Sequence, residues 1–467
     1  MGKSTVATNA SGLAESGKVK LSEKIAYGIG NFGEQMVFNP ATTFMVFFYT
    51  DVAGIAPATV GTLLFASQFL GVLNPVMGAI VDRTNTRFGK ARPWLLWMAV
   101  PFGIAAALLF RSPDISYAGK VIFAVITYNL AFTLFYTPVD VPYATMLPFM
   151  TTNQHERTSL SVFRMSFAFG GVLLTFVLTM PLVKFFGGGA PGWGRAFMLF
   201  GAIATASLLF CFAGTRERFH VTGRWAKSAV PLKVAVPGLF RNKYLVLIGA
   251  LHMLTFLGLG LWVANLYYLR YFLHKASLFG PLMAAQTVAE MVTMVFTPAI
   301  TRRYGKRNAI LAGLAVTIAG QLLLFITPLT FTLLAVGTVI KGLGAGPLVG
   351  TSFAMVADTL EYGDWKLNLR NDGLAFGAMS LVMKSSIGFS NAMVGWILGL
   401  GGYIGKATVQ TASALESIKI VFLYMPLLFF GLSVVVMLVY DLDKRYPAIE
   451  ADLRERRAAA AATGEEP

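Results

Sequence analysis

Two charged residues, Asp140 and Lys384, lie inside long apolar runs of this chain. A charge near the centre of a bilayer costs about 2.5–3.5 kcal/mol on insertion scales, so such groups persist mainly where they face a bundle interior or a wet cavity. Asp140 closes a polar series, Asn129, Thr133, Tyr136 and Asp140, whose intervals of 4, 3 and 4 place all four on one face of a regular helix. Pro138 and Pro142 flank the acid and loosen the local hydrogen-bond ladder. A carboxylate there can accept two hydrogen bonds from vicinal hydroxyls, and Tyr136 can donate or stack. The competing reading is an acid that holds a neighbouring helix through an internal pair. Arg164 follows in the next apolar run. Its forked donors suit a carboxylate or two hydroxyls, and it is expected within pairing reach of Asp140. Later in the chain Ser380, Lys384, Gly388 and Asn391 share a face. Lys384 is too deep to snorkel to either membrane surface. It is read as a donor to a solute, a coupling group, or a static counter-ion to an acid of the other half. Glu34, His252, Glu290 and Lys341 are further buried ionisable groups, and Gln286, Glu290, Thr293 and Thr297 form another one-sided series. Glu290 and Lys341 are expected to form a salt bridge, and His252 to be a packed neutral ring.

The elements that carry these residues follow from composition. Of 467 residues 56% are hydrophobic and only 13% charged, with 38 Phe. The mean hydropathy of +0.65 is too high for a soluble domain of this size. Lipid supplies no partners for the backbone, so the runs must be helices or a closed barrel; at about 20 apolar residues each they are helices. The expectation is an all-α membrane protein of twelve spans in two pseudo-symmetric six-helix bundles: 25–50, 57–81, 93–111, 119–147, 158–185, 193–213, 244–272, 277–300, 308–327, 329–357, 372–402 and 416–440. The corresponding divisions are a tail 1–24, a first bundle 25–213, a linker 214–243, a second bundle 244–440 and a tail 441–467, read as a short surface helix. Lys and Arg concentrate after the even-numbered spans, which predicts that both termini and the linker are cytoplasmic. The opposite loops hold only scattered cations such as Arg111, Lys120, Lys184 and Lys275. Arg87-Phe88-Gly89-Lys90 after span two is echoed by Arg303-Tyr304-Gly305-Lys306 after span eight, which suggests duplication.

Several classes are excluded. No G-x-x-x-x-G-K-[ST] loop is present, so ATP-driven transport is not expected. No His/Cys spacing suits a metal, and no catalytic constellation is found. Cys211 is the one cysteine, so no intramolecular disulfide can form. The net charge of +16 is explained by loop asymmetry rather than by nucleic acid. The loop from Asp358 to Arg370 mixes acids and bases that would lock one face through Arg157 or the basic loops.

The segments Tyr49-Thr50-Asp51-Val52, Asn74-Pro75-Val76-Met77-Gly78, Asp82-Arg83-Thr84 to Arg87-Phe88-Gly89-Lys90-Ala91-Arg92-Pro93, Met355-Val356-Ala357-Asp358-Thr359 and Lys366-Leu367-Asn368-Leu369-Arg370 resemble the glycoside–pentoside–hexuronide:cation symporters of the major facilitator superfamily. The resemblance covers nearly all spans. It implies a secondary transporter that rocks two halves about a central cavity. It implies sugar contact by Asp140, Arg164, Tyr136 and Lys384, with Glu34, Gln35 and Asn391 as further candidates. It also implies a gating network of Arg157, Asp358 and Arg370, joined by Asp82 and Arg83. The chain departs from the family at two points. Glu34-Gln35 replaces the first-helix Lys-Asp pair, so one sugar-binding carboxylate is displaced or lost. Leu70-Gly71-Val72-Leu73-Asn74 carries neither acid of the span-two cation motif.

The expected function is therefore uptake of a glycoside or related sugar by a monomer of a bacterial-type inner membrane. The coupling ion is a proton rather than sodium, with Glu34, Asp140, Glu290 and Lys384 as coupling candidates and no cofactor. The alternatives are an uncoupled uniporter, a carrier of a less polar, lipid-like or aromatic solute, and a non-transporting sensor.

Overall fold

The computed structural model describes residues 19–151, 153–218, 232–326, 328–367 and 372–463. The chain divides into two compact units, Met1–Arg224 with Ile404–Thr408, and Trp225–Tyr403 with Val409–Pro467. Helices cover each of the twelve expected spans, and among the described residues nine are long and apolar enough to cross a membrane.

The first unit runs through α1 (Leu21–Phe47), α2 (Pro57–Gln68), α3 (Leu73–Arg83), α4 (Arg92–Leu109), α5 (Tyr117–Asn129), α6 (Thr137–Met150), α7 (Gln154–Phe185) and α8 (Gly189–Gly214). The second holds α9 (Leu232–Arg241), α10 (Lys243–Gly260), α11 (Ala264–Tyr271), α12 (Phe279–Tyr304), α13 (Lys306–Leu323), α14 (Phe331–Leu367), α15 (Asp372–Leu400), α16 (Ala412–Lys419), α17 (Met425–Val439) and α18 (Leu442–Thr463). The expected tail helix is α18. It docks on α14, where Tyr446 donates to Glu361 at 2.5 Å and the Trp365 indole to Asp452 at 2.5 Å.

Two rods widen into π-helix just before a proline. Leu130–Tyr136 precedes Pro138, and Ile420–Tyr424 precedes Pro426. Proline has no N–H to donate and its ring crowds the carbonyl four residues back, so the helix relaxes outward there. In the second case the freed carbonyl of Phe422 is taken up from outside the helix: the Gln321 carboxamide donates to Phe422 and Leu423 oxygens at 2.8 and 3.0 Å.

Lipid supplies little hydrophobic drive between helices, so close backbone approach at small residues carries the packing. A Cβ on Gly346 would fall 2.1 Å from Thr293 Oγ1, and one on Gly342 would fall 2.4 Å from the Gln286 carbonyl. The polar series of α12 therefore lies along a glycine face of α14.

The repeated loop motif has a structural meaning in each unit. Gly89 adopts φ +107°, which lets the Glu217 carboxylate accept the backbone N–H groups of Lys90, Ala91 and Arg92 at 2.8, 2.9 and 2.7 Å. Arg92 donates to the Phe212 carbonyl at 2.7 Å. Gly305 has φ +83°, Asp443 accepts the Arg307 N–H at 2.7 Å, and Arg307 donates to Met437 and Leu438 carbonyls at 2.9 Å each. In both units a carboxylate just past the sixth span, Glu217 after α8 and Asp443 after α17, caps the helix of the third span, α4 or α13, where the helix dipole favours negative charge. An arginine at that cap closes the carbonyl end of the sixth-span helix, α8 or α17. Glu23 ties the first unit further, accepting the Arg216 N–H at 3.0 Å and both terminal nitrogens of Arg218 at 2.9 and 2.7 Å. This charge-assisted pair holds the Arg218 guanidinium above the ordinary arginine range.

Candidate functional site

Two helix stripes meet in the first unit. On α1, Tyr27, Asn31, Glu34 and Phe38 recur at intervals of 4, 3 and 4. At the junction of the π segment with α6, Tyr136, Asp140 and Tyr143 recur at 4 and 3. The rings of Tyr27 and Tyr143 stack at 4.7 Å, and the Tyr143 hydroxyl donates to the Tyr27 carbonyl at 2.5 Å. Phe38 stacks on Tyr136 at 4.9 Å, with Phe132 edge-on to Phe38 at 5.8 Å. Glu34 is 1% exposed, and its carboxylate lies within electrostatic reach of Tyr136. The carboxylate that sequence comparison finds displaced from its family position thus enters the same cluster as Asp140.

Arg164 on α7 completes the group. Its guanidinium carbon lies 5.2 Å above the Tyr143 ring, and Asn31 donates to its backbone carbonyl at 3.4 Å. Tyr27, Tyr143, Glu34 and Asp140 are all within its electrostatic reach. The expected direct pairing with Asp140 is not made. Among the described residues the guanidinium forms no ion pair, and its Nε has no hydrogen-bond partner. The side chain instead lies over the Tyr143 ring, with both acids in its electrostatic surroundings. Both Arg164 and Asp140 are half-buried. A half-buried cation with unused donors, two acids nearby and flat aromatic faces can grip a polyhydroxylated ring. The acids accept from hydroxyls, the fork donates to them, and the aromatic faces cover C–H surface.

The regular stripe expected from Asn129 to Asp140 does not survive. Asn129 donates to Ser67 at 3.1 Å and to the Val125 carbonyl at 2.8 Å, away from the cluster. The π segment places an extra residue in the turn, and each residue turns the helix by about 100°. Positions before and after it therefore no longer share the face that regular spacing assigns. Gln35 is half-buried beside the cluster, and the α7 backbone approaches α1 there, since a Cβ on Gly171 would fall 3.2 Å from the Gln35 Cβ. Tyr27, Asn31, Phe38 and Tyr143 were not singled out from sequence. The α1 series had the same 4, 3, 4 signal, hidden because two of its members are aromatic and read as core.

In the second unit Lys384 is half-buried and Asn391 buried on α15. The expected Glu290–Lys341 salt bridge is absent among the described residues. Lys341, 1% exposed, donates to Gln321 Oε1 at 3.2 Å and lies 5.5 Å from the Trp262 ring centre. It serves the Gln321 brace on the π turn instead of Glu290. Glu290 is half-buried. His252 contacts the Ile248 carbonyl at 3.0 Å, the packed role expected of it. Cys211 is fully buried against Gly30.

The gating candidates are placed singly. Asp358 accepts from Lys306 through both oxygens at 2.6 Å, a pairing with one of the basic loops. Arg157 donates to the Thr151 carbonyl at 2.8 Å. Arg83 is exposed. Arg370 and the side chain of Asp82 lie outside the described residues.

A family model described as MFS/sugar transport protein matches residues 26–444. The isoprimeverose transporter of Lactiplantibacillus pentosus is 34% identical over 97% of this chain and 95% of its own length. The putative glycoside/cation symporter YagG of Escherichia coli K12 is 31% identical over 95% and 96%. Among solved structures, a bacterial homologue of the human lysosomal transporter Spinster, in an inward-facing and occupied conformation, superposes with a TM-score of 0.63. It does so at 13% identity, over 90% of this chain and 95% of that one, which is a likeness of fold. A structure of a proton-dependent oligopeptide transporter gives the same TM-score at 12% identity, over 93% and 100%.

Proposed function

The chain belongs to the sugar-transport family of the major facilitator superfamily, and on that premise we propose that it imports a glycoside or small oligosaccharide together with protons. It is a multi-pass membrane transporter and not an enzyme. The observation that carries the proposed substrate class is the Arg164 guanidinium, free of any ion pair among the described residues, over the Tyr143 ring and within electrostatic reach of Glu34, Asp140, Tyr27 and Tyr136. Solute hydroxyls complete the hydrogen bonds this cation lacks, and Phe38 and Tyr136 present their rings to the sugar. Relatives that carry isoprimeverose or glycosides by name support a glycoside over a free monosaccharide.

Proton coupling is supported by residue chemistry. Sodium is held by clustered oxygens with negative charge, and the span-two segment Leu70–Asn74 supplies no acid. Glu34 and Asp140 are carboxylates that can carry a proton beside the solute. The chain would work as a monomer in a bacterial-type inner membrane, and the Lys and Arg asymmetry of the loops supports placing both termini in the cytoplasm.

Uptake of a panel of labelled glycosides into reconstituted vesicles tests this reading. It expects accumulation driven by an inward proton gradient, abolished by a protonophore, indifferent to sodium and lost in Asp140→Asn. Accumulation that requires sodium would overturn the coupling. Uptake of no sugar across the panel would overturn the substrate class.

A further inference from the structure

The first unit holds a second charged site, built from residues that the cluster does not use. A cavity of about 460 Å³ opens where the C-terminal end of α4 meets α5 and the start of α8. Its polar lining includes Arg111, Ser112 and Arg195, its apolar lining includes Leu108, Phe123 and Met198, and no lining residue is acidic.

The two arginines are held apart by rigid neighbours. Phe110 stacks on Trp193 at 5.4 Å and on Phe197 at 3.5 Å, and all three rings are buried. Arg111 follows Phe110 in the chain, and Arg195 follows Trp193 by two residues. The Arg111 stem lies against Gly194, where an added Cβ would fall 3.6 Å from its Cγ. Among the described residues the Arg111 side chain has no ion pair or hydrogen bond, and Arg195 donates only to the Phe186 carbonyl at 3.2 Å. Two guanidiniums with open donors on one cavity call for a multivalent anion, which they bind in forked geometry.

The apolar wall decides which anion. Met198 is 47% exposed and Phe123 half-buried, and they stand on membrane-crossing helices, nine residues past Gly189 and six past Tyr117. A free phosphate has no use for such a wall. A phosphodiester whose glycerol and first acyl carbons continue along it does. Basic pockets between membrane helices hold anionic headgroups on the cytoplasmic side of membrane proteins, and the same charge pairing applies on the opposite face. Loop asymmetry also leaves Arg111 unexplained, because it lies among the sparse cations of the opposite face.

We propose that this cavity binds an anionic phospholipid, with Arg111 and Arg195 on the phosphate and Leu108, Phe123 and Met198 against the glycerol and proximal chain. The test is native mass spectrometry of the full chain titrated with phosphatidylglycerol or phosphatidylcholine. The wild type is expected to retain phosphatidylglycerol about tenfold better than phosphatidylcholine, and R111Q/R195Q to lose that preference. Met198→Trp, which narrows the wall and keeps both charges, is expected to lower retention as well. Lys120→Gln/Lys184→Gln, which removes cations that do not line the cavity, is expected to leave it unchanged. Millimolar inorganic phosphate should not displace the lipid. Equal retention of both lipids, or unchanged preference in R111Q/R195Q, overturns the site. An equal loss in K120Q/K184Q reduces it to diffuse charge, and displacement by phosphate overturns the lipid assignment.

Discussion

Replacing Arg164 by Gln isolates the group on which substrate recognition is argued to depend. The guanidinium is half-buried, makes no ion pair among the described residues, and has an Nε with no hydrogen-bond partner. Its loss therefore breaks no internal salt bridge, and the effect should fall on the solute. A hydrogen bond to a charged group is worth about 1.5–3 kcal/mol net. The fork can make two, but a half-exposed site lets water replace part of the loss, so one such bond is the fair estimate. That corresponds to a weakening of solute affinity by about 10- to 150-fold. Arg164→Lys keeps the charge and loses the fork, and should fall between wild type and Gln. Affinity would be read by isothermal titration of purified protein with the best glycoside of the uptake panel. The unfolding midpoint serves as the folding control. A well-folded Arg164→Gln protein that binds within twofold of wild type would refute the assignment, because the donors the solute needs would then come from elsewhere.

Other substitutions test the scaffold. Glu217→Ala removes an acceptor of three backbone N–H bonds at the head of α4 and should cost roughly 2–4 kcal/mol, lowering the unfolding midpoint by several degrees; Glu217→Gln should lie between, and no shift in Glu217→Ala would show that water caps the helix as well. Gly346→Leu places a side chain where even a Cβ comes within 2.1 Å of Thr293 Oγ1, so the yield of monodisperse protein should collapse while the exposed Gly377→Ala stays normal. Gln321→Leu strands the Lys341 ammonium and two π-turn carbonyls and should destabilise by about 3 kcal/mol or more. The double variant Gln321→Leu/Lys341→Met should recover part of that loss, and a strictly additive thermal shift would argue against a shared network.

Much of this molecule can be read from the chain alone. Apolar runs of bilayer length fix where helices must be, because lipid leaves the backbone no other partners. The basic loops, the duplicated R-x-G-K motif and the intramembrane charges at Asp140 and Arg164 follow from residue type, and their family likeness follows with them. Tertiary structure decided which of these groups meet. Asn129 left the expected face because Pro138 opens a π turn that breaks the 3.6-residue period. Lys341 went to Gln321 rather than Glu290 because the π turn before Pro426 needed a donor for its freed carbonyls. Glu34 joined Asp140 and Arg164 through the packing of α1 against neighbouring helices. Spacing assigns a face only along a regular helix, whereas partnership across helices depends on how closely backbones approach, a property shared between segments distant in sequence.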